Sequence, residues 1–446
     1  MKKAEIYYFT LTDEMPRIDK LEWFKNNPFQ KIEFDKIIPD DKGNWINLTD
    51  NDFESLMPVC DKEVKANKSQ QAIFRLFSLG VVTARDEWVY DDNKENLIKK
   101  VEFLIDIYNQ DVEKHHGKSK EDIRNSVDYS IKWTRAVKND LEKGVKYKLI
   151  DTLIIDSLYR PFIKKKLYFS KQLNEMQYQL SSIFGIKNKN IVICINVGSK
   201  DFNILSSSFL PDYHFNGDSN CLPLYIYDKE GNRHDNITDW ALNEFKSHYA
   251  ARTSSPLRTA SPENPPEITK LDIFHYVYAV LHNPAYREKY ELNLKREFPR
   301  IPYYENFAQW AEWGKQLMEL HLNYESIAQF PLERHDIEQA KIPKAKLKAD
   351  KEKGLIILDD NTHLSGVPLQ AWEYKLGNRS ALEWILDQYK EKKPKDPTIA
   401  EKFNHYKFAD YKEQVIELLS RVCTVSVETV KIVDLLRIES QQQTEQ

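Results

Sequence analysis

The stretch that most constrains the fold runs from Asp272 to Glu325, where apolar residues recur at helical spacing and prolines interrupt the pattern. Thr269 stands three residues before Asp272, which is the spacing of an N-terminal helix cap, and Asn283-Pro284 ends this first helix. Its apolar face comprises Ile273, Tyr276, Val277, Val280 and Leu281. Because a helix packs its apolar face inward, the pattern predicts a layer of core helices. It identifies no catalytic or binding residue.

Two further helices are predicted in the same stretch. One extends from Tyr286 to about Glu297 and stops at Pro299 and Pro302, because proline cannot continue a helix. The other carries a stripe made of Phe307, Trp310, Ala311, Gly314, Leu317, Met318 and His321. That stripe again has the spacing of a core-facing helix.

Short apolar runs bounded by turn residues predict strands over much of the remaining chain. They occupy residues 4–9, 34–48 (strand, turn and strand), 87–90, 149–162, 167–170, 190–196, 221–228 and 355–359. Residues 71–82 fit a short helix or a strand, and helical patterns occupy residues 93–110, 131–143, 379–390 and about 411–419. The predicted class is α+β, with a mixed, β-rich core and packed helices preceded by a smaller α/β segment.

Composition is that of a globular protein with a full core. Apolar residues make up 41% and charged residues 30% of the 446 residues. The net charge of −4 disfavours tight nucleic-acid binding by the whole surface, although a local basic groove would suffice. Four widely separated cysteines (Cys60, Cys194, Cys221 and Cys423) predict reduced thiols, a cytoplasmic location and no zinc site. No apolar run is long enough for a membrane span.

The amino-acid sequence of many blocks resembles the C-terminal specificity region of the type ISP, single-polypeptide restriction–modification enzymes. These blocks occur in order at Gly80–Tyr90, Ile131–Lys138, Ser157–Phe169, Leu173–Phe184, Pro211–Tyr225, Asp272–Glu325, Leu364–Tyr389 and Val425–Leu436. Together they cover nearly the whole chain, so the match is far more specific than a single short motif. In that family a nuclease, an ATP-driven translocase, an adenine methyltransferase and a target-recognition domain lie on one chain.

The resemblance implies that residues 146–436 form a target-recognition domain and that residues 1–145 couple it to a methyltransferase core that this sequence lacks. Residues 437–446 are expected to form a disordered tail. The implied function is sequence-specific recognition of duplex DNA, which the domain presents to an adenine methyltransferase and a translocase–nuclease. Those domains or subunits, together with double-stranded DNA, are the expected partners, and no membrane is expected.

Cofactors are expected only on the absent catalytic domains, which would bind S-adenosylmethionine, ATP and magnesium. This chain has no strand followed by a glycine-rich turn and no G-x-x-x-x-G-K-[ST] sequence, so no catalytic, cofactor or metal residue is assigned. Asn264-Pro265-Pro266-Glu267 resembles an amino-methyltransferase loop only in part, because an apolar strand does not precede it and Glu267 replaces the aromatic.

Basic and amide side chains supply the predicted DNA contacts, since cations neutralise phosphates and polar loop residues reach base edges. The predicted set comprises Arg160, Lys164, Lys165, Lys166, Asn174, Lys200, Asn378 and Arg379. The first four follow from the resemblance, in which the YRPF block opens the recognition region. Further loop candidates are Asn196, Asn216, Asp218 and Asn220. The lysines at 341–353 and 390–395 are as consistent with an ordinary solvated surface as with a surface that contacts phosphates.

Two alternatives remain open on the residues alone. Asp360 follows an apolar run, and Glu373-Tyr374-Lys375 supplies E-x-K thirteen residues on, as in metal-dependent nucleases. The triplet is short and recurs elsewhere in this chain, so it is a weak signal. The other alternative is a protein-docking module that binds a methyltransferase or translocase without reading bases.

Overall fold

The computed structural model describes residues 4–444 except 12–14, 16, 40–42, 44, 46–48, 50, 116–117, 186–188, 199–201, 254–266 and 338–342. The chain divides into two compact units, Met1–Glu54 and Ser55–Gln446. The first unit contains β1 (Ile6–Tyr8), α1 (Arg17–Asn26) and β2 (Asp35–Ile37), and β1 and β2 pair antiparallel. The predicted strand at residues 4–9 is thus confirmed in part, and β2 falls within the predicted strand–turn–strand segment.

The second unit holds the remaining strands and helices. Its strands are β3 (Met57–Pro58), β4 (Ser78–Leu79), β5 (Tyr90–Asp91), β6 (Ile154–Arg160), β7 (Ile163–Tyr168), β8 (Val192–Asn196), β9 (Ile204–Ser207), β10 (Leu210–Pro211), β11 (Ser219–Pro223), β12 (Tyr225–Tyr227), β13 (Arg233–Asp235), β14 (Arg300–Ile301), β15 (Glu333–Asp336), β16 (Ala345–Asp350), β17 (Leu355–Asp359), β18 (Thr362–Ser365), β19 (Lys375–Leu376) and β20 (Arg379–Ser380). Its helices are α2 (Lys62–Lys65), α3 (Asp86–Val89), α4 (Lys94–Lys114), α5 (Lys120–Ser126), α6 (Arg135–Glu142), α7 (Leu180–Ile183), α8 (Asp239–Thr253), α9 (Lys270–His282), α10 (Pro284–Lys289), α11 (Glu291–Leu294), α12 (Phe307–Leu322), α13 (Ala381–Gln388) and α14 (Phe408–Thr444).

Several small sheets and a helical layer confirm the predicted α+β class. The four-stranded sheets in the described part of the chain have the orders β10-β6-β7-β5, β4-β11-β8-β9 and β15-β18-β17-β16. Every residue of β8, β9 and β11 is buried, so other elements cover both faces of the second sheet.

The helical layer agrees with the periodicity of its sequence. Thr269 and Asp272 form the predicted capping box at the start of α9, and the helix ends at His282 before Asn283-Pro284. α12 packs along α9, and Gly314 allows this close approach, because a Cβ atom there would lie 1.8 Å from the carbonyl oxygen of His275.

Other parts differ from the sequence predictions. The compact units divide near residue 54, and β5 is an edge strand of the sheet that contains β6 and β7, whereas the boundary near residue 145 concerns function and stays a prediction. Residues 86–89 form α3 instead of a strand, and the indole of Trp88 is buried with a 2.8 Å hydrogen bond to Asp396. The predicted disordered tail is helical as far as Thr444, since α14 continues past the buried Leu436. The coupling role of residues 1–145 stays a prediction.

Replacing Gly314 tests the contact between the two central helices. Without a clash, Gly314→Ala would stabilise a helix interior by about 1 kcal/mol. Because the new methyl group would overlap the His275 carbonyl, we expect a loss of roughly 2 kcal/mol or more instead. Urea unfolding measures the difference, with Lys315→Ala on the exposed side of α12 as a near-neutral control. A more stable Gly314→Ala protein would contradict the packing.

Candidate nucleic-acid interface

The β6–β7 hairpin carries the predicted lysine cluster, and each lysine has a carboxylate partner. The pairs are Lys164–Glu325 (2.7 Å), Lys165–Asp92 (3.0 Å) and Lys166–Asp156 (2.7 Å). Asp156 and Lys166 are also direct neighbours across the hairpin. Because an ion pair at this distance offsets much of the local positive charge, the hairpin presents less free charge than its sequence suggests.

Arg160, at the end of β6, belongs to a buried ion pair. Its Nη1 donates to Oδ1 of Asp212 at 2.8 Å, and its guanidinium lies 3.9 Å from the centroid of the Tyr159 ring. The hydroxyl of Tyr90 donates to Oδ2 of Asp212 at 3.2 Å. Burial raises the pKa of Asp212 to about 6, although Arg160 opposes this rise. Because its guanidinium is occupied by Asp212 and Tyr159, Arg160 has a structural role. These contacts argue against the phosphate contact that the sequence predicted for it.

Asn174 is also part of the scaffold. It is only 3% exposed, its Nδ2 donates to the backbone oxygen of Tyr168 at 3.2 Å, and its Oδ1 accepts from Gln177 at 3.1 Å. A buried amide with both ends bonded cannot reach a groove edge without breaking those bonds. Asn174 instead fixes the segment after β7, and this burial argues against the predicted base contact.

The β19–β20 turn presents an exposed amide, as predicted. Asn378 lies at its tip beside Gly377, whose φ of +70° favours glycine. The neighbouring Arg379 is partly buried, and its Nη1 pairs with Asp387 at 3.0 Å. Of these two predicted residues, Asn378 is therefore the one free to project outward.

Backbone hydrogen bonds bring three other segments beside one another. Val82 and Met176 exchange a pair of N–H···O bonds of 2.9 and 3.0 Å. The amide of Tyr213 donates to Val81 at 2.9 Å, and the amide of Ser219 donates to Tyr213 at 2.7 Å. Residues 80–84, 174–178 and 212–219 thus form one continuous surface.

Side-chain contacts join the β19–β20 turn to the same surface. A Cβ atom at Gly377 would lie 3.9 Å from Nδ2 of Asn203, and this amide donates to the backbone oxygen of Asn216 at 3.0 Å. We call the combined surface, made of residues 80–84, 174–178, 202–203, 212–219 and 377–378, the loop face. Lys200 lies outside the described residues, two positions before Phe202.

The loop face exposes side chains that are suited to contact. Met176 and Tyr178 are 44% and 41% exposed, so their apolar surfaces are open to a ligand. Tyr178 and Asp218 have φ values of +47° and +55°, a conformation that non-glycine residues adopt rarely and that clusters at functional sites. His214 lies 3.3 Å from Asp218 and is also exposed.

The other candidate asparagines, which are Asn196 of β8 and two residues of the N-G-D-S-N segment at 216–220, hold the loop in place. Asn196, Asn216 and Asn220 are all buried. Asn216 donates to the Cys194 backbone at 3.1 Å, and Asn196 accepts from the Asn203 amide at 2.7 Å. The turn chemistry of this segment was predictable, whereas the inward direction of its amides was not.

Arg287 is a cation beside the loop face that the sequence did not single out. Its guanidinium lies 5.5 Å from the centroid of Phe202, and its Nε donates to the backbone of Leu281 at 2.7 Å. No carboxylate of the described residues lies within ion-pair distance of it. Burial lowers its pKa to about 10, which leaves it charged at neutral pH. In the sequence, Arg287 is one basic residue in the N-P-A-Y-R block of the helical stretch, and nothing there marks it as unpaired.

A comparison with family models decides the identity of the chain. The Type ISP C-terminal specificity domain matches residues 72–418, and a comparison with curated proteins gave no match. This chain belongs to the Type ISP specificity domain family. The resemblance seen in the sequence blocks is therefore confirmed.

Solved structures extend the likeness to 97% of the chain. A DrdV–DNA complex solved by cryo-electron microscopy is 46% identical with a TM-score of 0.86, and the chain covers 43% of it. A nuclease-deletion mutant of the Type ISP enzyme LlaGI, bound to a DNA substrate mimic, is 30% identical with a TM-score of 0.80, with 33% covered. DNA-bound LlaBIII, an ATP-dependent Type ISP enzyme, is 27% identical with a TM-score of 0.80, with 28% covered. The chain therefore spans less than half of the length of each of these proteins.

The nuclease alternative finds no support in the described residues of this specificity domain. Asp360 accepts a hydrogen bond from the Lys344 amide at 2.9 Å and pairs with Lys346 at 3.0 Å. Asp359 is buried and pairs with Lys412 at 2.8 Å. The described residues contain no cluster of three or more His, Cys, Asp or Glu that could hold a metal ion. Both carboxylates therefore serve the scaffold.

The two remaining lysine groups are compensated only in part, and Lys341 lies outside the described residues. Their ion pairs are Lys346–Asp360 (3.0 Å), Lys351–Glu383 (2.7 Å), Lys353–Asp350 (3.4 Å) and Lys392–Asp387 (3.1 Å). Exposed pairs of this kind contribute little stability and weaken any phosphate attraction. Among the described residues, no helix is both long and apolar enough to cross a bilayer.

The buried ion pair predicts a pH-dependent stability loss. Arg160→Met leaves Asp212 buried without its cation, which costs about 3–5 kcal/mol when that carboxyl is charged. The folded pKa of Asp212, already raised to about 6, will rise further, so the variant keeps losing stability as pH increases above 6. Denaturant unfolding should therefore show a larger loss at pH 8 than at pH 5.

The double variant Arg160→Met/Asp212→Asn is the control, because a neutral amide needs no cation. It should recover part of the lost stability and show no extra loss between pH 5 and pH 8. A loss in Arg160→Met that is equal at both pH values would contradict the charge-based account.

Proposed function

We propose that this specificity domain recognises a short duplex DNA sequence for a restriction–modification enzyme, and that the loop face reads the bases. Its supporting observation is the convergence of separate turns at one surface with exposed Met176, Tyr178 and Asn378. Likeness to DNA-bound structures at up to 46% identity supports duplex DNA as the ligand.

Different residues of the loop face suit different contacts. An exposed amide such as Asn378 can pair with the N6 and N7 atoms of adenine in the major groove. Met176 and Tyr178 offer apolar contact to a thymine methyl group or to sugars. Arg287 supplies a charge that described carboxylates do not compensate, so it suits a phosphate or a guanine. Lys200 stays in the proposed set because it stands two positions before Phe202 in the sequence.

In this proposal the lysines of the β6–β7 hairpin contribute less to DNA binding than the loop face does. A phosphate must compete with Glu325, Asp92 and Asp156 for them, so each lysine adds less than an unpaired cation would. They can still attract DNA over a longer range, where the net field rather than a single contact matters.

The catalytic steps would belong to partner domains or subunits. We propose an adenine methyltransferase and a translocase–nuclease as those partners, with S-adenosylmethionine, ATP and magnesium bound there. The specificity domain would hold the duplex in register while a methyltransferase extrudes its target adenine.

Selection from a randomised duplex library tests the proposal, with the chain alone and with a methyltransferase partner present. We expect one motif to be enriched and to persist as salt rises, because base contacts depend on salt less than phosphate contacts do. Binding without any motif in both conditions would contradict base recognition and leave a docking role.

Asn378→Ala tests the proposed reader of the β19–β20 turn. We expect tolerance for other bases at one position of the motif and a loss there of about tenfold in affinity, because one bidentate base contact contributes about 1–3 kcal/mol. The matched control is Asn404→Ala, an exposed asparagine outside the loop face, which should leave the motif unchanged. An unaltered motif in Asn378→Ala would exclude Asn378 as a base reader.

A further inference from the structure

A cationic cavity lies away from the loop face, beyond the opposite end of β11. Its volume is about 420 Å³, and it is lined by Arg75, Arg233, His234, Asp235 and Lys270. These residues come from the segment before β4, from β13 and from the first turn of α9. None of them was predicted to bind a ligand.

The two arginines of this cavity carry the uncompensated charge. Within the part of the chain that the structure describes, no carboxylate lies at ion-pair distance from Arg75 or Arg233. The guanidinium of Arg233 lies 4.3 Å from the centroid of the Tyr225 ring, which holds it in place without neutralising it. Arginine in this state is suited to bidentate contact with phosphate oxygens.

Lys270 forms ion pairs with two carboxylates at the cavity. Its Nζ lies 2.7 Å from Asp239 and 3.6 Å from Asp235. Lys270, and to a smaller extent Arg75, hold the pKa of Asp239 below its usual range. With both carboxylates bound by Lys270, the guanidiniums of Arg75 and Arg233 remain available to an anion.

Neighbouring cavities extend this site into a groove. Arg75 also lines a cavity of about 200 Å³ with the polar residues Asn67, Ser69 and Gln70. On the other side, Asp235 and Lys270 border a cavity of about 520 Å³, which Asp239, Glu267 and Lys246 also line. At that end the acids are paired with Lys246 and Lys270, so the unpaired arginines lie between a neutral polar end and a charge-paired end. A groove with this arrangement can contact several phosphates rather than a single ion.

We propose that this groove, centred on Arg75 and Arg233, binds the phosphate backbone of the duplex outside the recognised sequence. The inference rests on the proposed DNA-recognition function and adds a second, sequence-independent contact to it. Its effect would be to fix the register of the duplex and to raise affinity for DNA with a long flank.

The separation of the two sites sets the length of that flank. From Ser219 at the loop face to Tyr225 beside the groove there are six residue steps, or about 20 Å at roughly 3.3 Å per residue. If the duplex runs along β11, this corresponds to about six base pairs at 3.4 Å each. On that path a flank of twelve base pairs reaches the groove, whereas a flank of two does not.

The test compares Arg75→Gln/Arg233→Gln with the full chain on duplexes that carry the selected motif and flanks of two or twelve base pairs. For the full chain, we expect tighter binding and a steeper salt dependence with the long flank. In the double variant, the slope of log K against log salt on the long flank should fall by up to about 2, and the motif should stay the same. The control Lys99→Gln/Lys229→Gln removes the same charge from exposed positions outside the cavity and should keep the flank effect.

Inorganic pyrophosphate is a second probe that does not depend on base recognition. Calorimetry should show binding to the full chain and to the control, and at least tenfold weaker binding to the arginine variant, with circular dichroism confirming that all three fold. Pyrophosphate binding without a flank effect would overturn the DNA assignment in favour of a small phosphorylated ligand. A chain that shows neither effect would overturn the site itself. Loss of motif selection with pyrophosphate binding intact would refute only the proposed function.

Discussion

The buried carboxylate of Asp212 is the interaction on which the loop face depends. It accepts from Arg160 at the end of β6, from Tyr90 of β5 and from the amide of His214, so it ties one sheet to the first turn of the loop face. Gly80 packs against the same backbone, where a Cβ atom would lie 2.5 Å from the Asp212 carbonyl oxygen. A buried carboxylate is tolerated only when its hydrogen-bond partners are held in place. The same contacts hold the exposed turn that follows Asp212 in its position.

Ion pairing, rather than the number of basic residues, decides where this domain presents positive charge. The three lysines of the β6–β7 hairpin are all paired with acids, and the other lysine-rich segments are paired in part. Among the cations that no described carboxylate offsets are arginines that lie against aromatic rings, such as Arg287 beside Phe202 and Arg233 beside Tyr225. A stacked guanidinium keeps its charge and its hydrogen-bonding edge, so these few positions can dominate contact with a polyanion.

Periodicity and local turn chemistry predicted much of the fold. The capping box at Thr269, the helical stripe around Gly314 and the exposed turn at Asn378 follow from sequence spacing alone, because each depends on neighbours along the chain. The inward orientation of Asn174 and the acidic partners of the lysines could not be predicted, since they depend on residues far away in sequence. Glu325, for example, is 161 positions from Lys164. Arg287 was missed for the same reason, because an unpaired cation is recognisable only once its surroundings are known.

Site-specific photo-cross-linking tests the central claim most directly. A benzophenone side chain would be placed at Tyr178 on the loop face and, in a second protein, at Asn404 outside it, each bound to the selected duplex. The account predicts cross-links from position 178 to nucleotides inside the recognised motif and none within the motif from position 404. Cross-links inside the motif from position 404 alone would contradict the assignment of the loop face as the reading surface.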